Sequence, residues 1–264
     1  MFKTIAWLGV AAFSASGAAF AAEPDFVSGR PGKNESPIVV PGGYLQIETE
    51  AARIGKDKER GVTTDSLSIA ASSLRYGLGG GYEAELILQP YVREKSRGPG
   101  GRATQDGIGD ATLRVRKNLV GQGGGAFAAA VIAYVTLPAP SGGLGSDNVG
   151  GGIFLPVQRQ LTDKLSFAST LGLAAIDSET HAHRDAFDPS LALGLGYSFT
   201  DKVGGFVELY ADRALEDGAK TNATFDFGAT YLAAATLQLD AGINLGLSDA
   251  ATDQEVYIGI AHRF

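Results

Sequence analysis

Residues 254–264 read QEVYIGIAHRF and alternate without a break: Val256, Ile258, Ile260, His262 and Phe264 fall on one side of an extended chain, Glu255, Tyr257, Gly259, Ala261 and Arg263 on the other. Successive side chains of a strand point to opposite faces, so the segment reads as a strand with one apolar face and one face of polar and small residues. The same period recurs upstream. Tyr82, Ala84, Leu86 and Leu88 oppose Glu83, Glu85, Ile87 and Gln89, while Leu237, Leu239, Ala241, Ile243 and Leu245 oppose Gln238, Asp240, Gly242, Asn244 and Gly246. Carried along the chain, the period predicts twelve strands at about 43–52, 64–76, 82–92, 108–120, 126–137, 148–161, 165–176, 186–199, 203–212, 223–232, 236–246 and 254–264.

The connections separate two kinds of β protein. Joins after the even-numbered strands are tight (GLGGG at 77–81, GQGGG at 121–125, TDK at 162–164 and 200–202, AAA at 233–235), whereas the others are longer and charged, as in REKSRGPGGRATQDG at 93–107. A soluble sandwich also alternates faces, so alternation alone does not decide. Short turns on one side, long loops on the other, an even strand count and a C-terminal aromatic together predict a transmembrane antiparallel barrel with short periplasmic turns and longer extracellular loops.

Composition agrees. The 264 residues hold no Cys, which excludes a disulfide scaffold, and 37 Gly without a collagen period, which suits a turn-rich β protein. The net charge of −7 argues against a nucleic-acid partner, since phosphate neutralisation needs clustered bases. The N-terminus is an export address: Lys3, the apolar run Ile5 to Phe13, then Ala19-Phe20-Ala21 as a small-x-small cleavage site. The organisation expected is a signal peptide at 1–21, a periplasmic N-terminal segment at 22–42 and an outer-membrane barrel at 43–264 of a Gram-negative cell, reached through the periplasm.

Lipid tolerates no unpaired backbone, so the last strand must pair with the first. Cleavage removes Trp7, leaving an aromatic girdle to Phe127, Phe167, Tyr197, Phe199, Tyr231 and Phe264, all near the short turns. Lys117 and Arg159 fall on the outward face within a few residues of those turns, where their stems can snorkel to headgroups. Arg75 falls in phase with outward Leu67 and Ile69, which predicts a bulge or slip in that strand.

A dispersed set of short signatures resembles one family, the outer-membrane transporters labelled as belonging to the meta-pathway of phenol degradation. They are Leu74-Arg75-Tyr76-Gly77-Leu78 with Glu83 to Leu86, Gly107-Ile108-Gly109-Asp110, Leu137-Pro138, Phe206-Val207-Glu208-Leu209, Asp226-Phe227-Gly228, Gln238-Leu239-Asp240-Ala241-Gly242 and the closing Arg263-Phe264. Where such families usually read P-T-G, this chain has Pro138-Ala139-Pro140-Ser141-Gly142. The resemblance implies an exported β-barrel and uptake of small compounds, with aromatic ones as candidates.

Enzymatic readings find little support. His262 has no Ser or Asp neighbour in sequence to mark a triad, so no catalytic residue is assigned. His181 and His183, with Asp177, Glu179 and Asp185, form an H-x-H loop that lacks a third fixed ligand, so a solvated acidic loop is favoured and no metal or other cofactor is expected. Gly77-Leu78-Gly79 and Gly121-Gln122-Gly123 precede no helix and read as hairpin turns.

Function is therefore sought on the inward face. The strand phase lines the lumen with Glu48, Glu50, Glu83, Glu85, Asp110, Glu208, Asp212, Asp226, Asp240 and Glu255 against Arg93, Arg114, Arg116 and Arg263, with Tyr91, Tyr210 and Tyr257 among them. Ionisable groups in a narrow lumen must be paired or wet. Glu85 with Arg116 is the expected leading pair, and Glu208, Asp212, Asp226 and Asp240 are left uncompensated, which predicts a preference for cations or neutral phenols. The reading is a monomeric channel or transporter for passive uptake of small solutes; the alternative is a closed structural or surface ligand-binding barrel. Its partners are outer-membrane lipid, the solute, and the barrel-assembly machinery, which reads the strand ending at Phe264.

Overall fold

The computed structural model describes residues 25–122, 125–139, 144–146, 148–177 and 185–264, and the strands among them form one closed antiparallel sheet. Its segments are β1 (Leu45–Glu59), β2 (Val62–Gly79), β3 (Tyr82–Leu88), β4 (Tyr91–Gly98), β5 (Gly101–Gly107), β6 (Ala111–Val120), β7 (Phe127–Leu137), β8 (Gly150–Gln160), β9 (Leu165–Asp177), β10 (Asp185–Ser198), β11 (Val203–Asp212), β12 (Asn222–Ala234), β13 (Leu237–Gly246) and β14 (Gln254–Arg263). They make a twelve-stranded wall, because two strands are interrupted. β3 and β4 continue one another across Gln89-Pro90 and both lie against β2. β5 and β6 continue one another across residues 108–110, lying against β4 and β3. Pro90 lacks the N–H that a ladder needs.

Closure comes from β1, which pairs with β2 on one side and β14 on the other, and the Phe264 amide donates to the Leu45 carbonyl at 2.8 Å. The expected signal peptide, Pro140 to Gly142, and His181 and His183 lie outside the described residues.

Two expected loops are strand instead. Residues 53–63 continue β1 and β2 to a two-residue turn at Arg60 and Gly61, whose φ values of 49° and 81° give the doubly left-handed geometry of a tight hairpin. Residues 93–107 form the β4–β5 hairpin, with Glu94 opposite Gln105 and Lys95 opposite Thr104. Polar composition marks where a strand leaves lipid, not where its ladder ends, so these hairpins extend as paired ribbons on the long-loop side.

The sheet is apolar outside and charged inside. Val256, Ile258 and Ile260 are exposed, while Tyr257, Ala261 and Arg263 are buried. Phe127, Tyr197, Phe199, Tyr231 and Phe264 are exposed near the short turns, with Tyr76 and Tyr82 beside them and Phe167 half-buried. Lys117 sits there too, its Nζ donating to the Gly80 carbonyl at 2.7 Å and lying 4.0 Å over the Tyr82 ring.

The slip signalled by Arg75 lies at Ala70, held at φ 58°, across from a bulge at Ala51 where β1 gains one residue on β14. Below it Gln46, Glu48 and Glu50 face inward and above it Arg53 and Gly55 do, so Arg75 enters the lumen although Leu67 and Ile69 face out. A non-glycine residue at positive φ is uncommon, and here it reverses the phase of a whole strand.

Candidate functional site

The barrel interior is occupied by the chain's own N-terminal residues. Residues 25–41 have no regular secondary structure, and Gly29, Gly32, Pro31, Pro37 and Pro41 explain why. The described part of the segment expected at 22–42 runs along the lumen, where inward polar side chains satisfy its backbone. Glu48 accepts the Gly29 amide at 3.0 Å, Glu208 accepts those of Lys33 and Asn34 at 2.7 and 2.8 Å, Thr170 that of Glu35, and Glu83 that of Val40 at 2.6 Å. Tyr257 donates to the Pro31 carbonyl at 3.0 Å and Arg263 to that of Asp25 at 3.0 Å. Gly77 and Gly259 are spaces the segment requires. A Cβ at Gly77 would strike the carbonyls of Val40 and Pro41, and one at Gly259 the Arg30 guanidinium.

On the wall formed by β1, β2, β3 and β6 the contacts are a ladder of charge. Arg75 reaches Glu48 at 2.6 Å and Glu83 at 2.9 Å, and Arg116 reaches Glu83 at 3.1 Å and Glu85 at 3.5 Å. The register sets Glu83 opposite Arg116 and Glu85 opposite Arg114, so the expected Glu85 and Arg116 contact is the diagonal one. Glu35 of the inner segment crowns the ladder, 2.7 Å from Arg114 and 3.1 Å from Arg116.

The facing wall, β11 to β13, was expected to carry unbalanced acid. Arg30 instead pairs with Asp240 at 2.9 Å and stands 3.6 Å from Glu50, and Lys33 stands 3.4 Å from Asp226. Arg30 also lies 5.9 Å over Tyr257, and Lys33 4.7 Å over Tyr210. Glu255 is met by Arg53 at 2.8 Å. The expectation of an uncompensated acidic wall is therefore corrected in part: Arg30 and Lys33 of the inner segment reach Asp240 and Asp226, and Arg53 of β1 reaches Glu255, while Glu208 is met by the amides of Lys33 and Asn34 and Asp212 by the side-chain amide of Asn222.

Of the expected lining residues, Glu48, Glu83, Glu85, Arg114, Arg116, Glu208, Tyr210, Asp226, Asp240, Tyr257 and Arg263 meet in this network. Asp110 does not. It sits between β5 and β6, where its carboxylate accepts the amides of Ala139 and Ser146 at 2.8 Å and pins the rim. Arg93 and Tyr91 belong to the β4 ribbon. Arg53, Arg75, Arg30, Lys33 and Glu35 are the additions. Arg75 was signalled by its phase conflict, and the excess of inward acid signalled only that bases were needed.

The segment leaves space beside it. A cavity of about 440 Å³ runs between residues 26–36 and β8 to β13, where Ser166, Ala168, Gly194, Gly196 and Gly204 keep the wall low. A second, of about 190 Å³, lies within the charge ladder. Among the described residues no cluster of His, Asp and Glu is arranged to hold a metal ion. His262 faces outward, edge-on to Phe264 with ring centroids 4.2 Å apart.

Comparison with known proteins places this architecture. Residues 28–264 match the profile of the family described as "Putative MetA-pathway of phenol degradation", and the chain belongs to that family. An outer membrane channel from Pseudomonas putida F1 is 15% identical, with TM-score 0.64 over 89% of this chain and 99% of that one. The NanC porin is 9% identical, with TM-score 0.54 over 83% and 98%. The translocator domain of autotransporter NalP from Neisseria meningitidis is 15% identical, with TM-score 0.53 over 84% and 89%. These likenesses establish the outer-membrane barrel fold. No curated protein matches the sequence significantly.

Proposed function

We propose that the chain is an outer-membrane channel of a Gram-negative cell, exported through the periplasm, that passes small solutes passively along its lumen, phenol-like aromatic compounds among them. The observation that carries this reading is the cavity of about 440 Å³ beside the inner segment: the lumen is narrowed, not filled. Glycine and serine at the wall positions facing that space leave a path where larger side chains would close it. The family's phenol-degradation label and the channel title of the Pseudomonas putida structure point the same way. The alternative, a closed barrel that binds a ligand without passing it, draws on the ion pairs that fasten residues 30–35 across the bore. Liposome swelling with a panel of ionised aromatic acids and sugars, which the bilayer itself excludes, separates the two, because a closed barrel admits none of them.

Assembly follows from the last strand. Phe264 ends an outward apolar row and its amide completes the seam with Leu45, so we assign it as the signal the barrel-assembly machinery reads. Deleting Phe264 is expected to deplete the heat-modifiable protein from outer-membrane fractions. A normal yield of folded protein from the deletion would refute that role.

A further inference from the structure

We propose that Arg114 and Arg116 form a binding site for the carboxylate of a small aromatic acid, and that Glu35 of the inner segment keeps this site filled until such a solute displaces it. This rests on the lumen being a solute path and names the chemistry it recognises.

The geometry is that of carboxylate recognition. Glu35 gives one oxygen to each arginine, Oε1 to Arg114 at 2.7 Å and Oε2 to Arg116 at 3.1 Å, so the pair spans a single carboxylate. Arginine donors fix such a group in orientation as well as in charge. Arg114 is held in place independently of Glu35. Its guanidinium lies 5.7 Å from the ring centroids of both Tyr134 and Phe154, which stack at 4.9 Å with their planes 12° apart. Neither Nε of the two arginines has a hydrogen-bond partner, although both are buried, so Glu35 does not exhaust the donors of the site.

Glu35 is also the carboxylate placed to leave. Glu83 and Glu48 belong to the wall strands and their side chains are 0% and 4% exposed, whereas Glu35 is 18% exposed and sits on a segment without a ladder. The adjoining cavity of about 190 Å³ is lined by Arg30, Arg75, Arg114 and Arg116 and by four glutamates, Glu35 among them. With bases and acids balanced, an added anion is accommodated when one acid withdraws. Ile87 and Ala71 give the same cavity an apolar side for a ring. Cavities of about 150 Å³ admit benzene, so a single-ring acid fits and a fused-ring one does not.

The test is equilibrium dialysis of radiolabelled benzoate against the detergent-folded full mature protein, with benzyl alcohol as the neutral probe of the same size. Glu35→Gln is expected to bind benzoate at least tenfold more tightly than the native protein, with benzyl alcohol unchanged, and adding Arg114→Lys is expected to cancel the gain. Equal benzoate binding by native and Glu35→Gln proteins, or an equal gain for benzyl alcohol, would overturn the proposal. If Glu35→Gln does not give a heat-modifiable barrel, Glu35→Asp, which keeps the charge but shortens the reach, carries the same comparison. Swelling assays keep the two readings apart. Sugar entry without the benzoate gain sinks the site and leaves the channel, whereas the gain without any solute entry sinks the channel alone.

Discussion

A mature chain lacking residues 25–41 is expected to carry a steady single-channel conductance several-fold above that of the intact protein, and to prefer cations. Eight-stranded barrels are filled by their own side chains and barrels of sixteen or more leave an aqueous channel, so twelve strands enclose more space than side chains alone can fill. Residues 25–41 take up part of the difference. Their removal takes away two bases, Arg30 and Lys33, and two acids, Asp25 and Glu35, so the net charge does not change, but Asp240 and Asp226 lose the partners at 2.9 and 3.4 Å and Glu208 the two amides it accepts. Those carboxylates then face water and set a negative field along the bore. In the intact protein the same groups are paired, so its selectivity is expected to be weak. The measurement is conductance and reversal potential in a planar bilayer under a potassium chloride gradient. Cation preference in the deletion should fade toward 1 M salt, where the Debye length falls to about 3 Å. Asp240→Asn in the deletion background should weaken the preference, whereas in the intact chain it leaves Arg30 with Glu50 alone and shifts the potential toward anions. A deletion that folds yet conducts like the native protein would mean that residues 25–41 do not restrict the path.

The barrel was legible because its signal is local. Strict alternation in 254–264, 237–246 and 82–89 sets both strand and face, and tight glycine turns set the antiparallel order. The register error in β2 was legible only as a conflict, since sequence shows that Arg75 is out of phase without showing which backbone position absorbs the shift. Ala70 gives no hint, being a residue that seldom adopts positive φ. The hairpins at 53–63 and 93–107 were missed because an aqueous ribbon needs no apolar face, and without one the period of two loses its hydrophobic contrast. The inner segment was opaque for a further reason. Its residues obey no period, and each is positioned by partners far along the chain, Arg30 by Asp240 and Lys33 by Asp226. Reading the wall in isolation left Asp226 and Asp240 without the bases that Lys33 and Arg30 supply.

Arg75 is where that long-range network is most sensitive to a single change. Its guanidinium is enclosed, 2% exposed, and bridges Glu48 at 2.6 Å and Glu83 at 2.9 Å, while Glu83 also receives Arg116. Replacing both partners of a buried pair can be nearly neutral, but removing one leaves the other charged and desolvated, at a cost of about 3–5 kcal/mol. Arg75→Ala leaves Glu48 without a cation and Glu83 with Arg116 alone, so a loss within that range is expected. Arg75→Lys keeps the charge but cannot present the fork to Glu83 and Glu48 together, and an intermediate loss follows. The control lies at the aqueous end of β2, where Arg97 of the neighbouring β4 stands 3.4 Å from Asp65 with its side chain 55% exposed. Exposed pairs contribute at most about 1 kcal/mol, so Arg97→Ala should leave stability almost unchanged. Urea titration of the folded barrels, followed by circular dichroism, ranks the three variants. The expected order of midpoints is Arg97→Ala near native, Arg75→Lys below it and Arg75→Ala lowest. A midpoint for Arg75→Ala matching that of Arg97→Ala would show that water reaches Glu48 and Glu83 freely, and that the ladder is a wet lining, not a strut holding β1, β2 and β3 together.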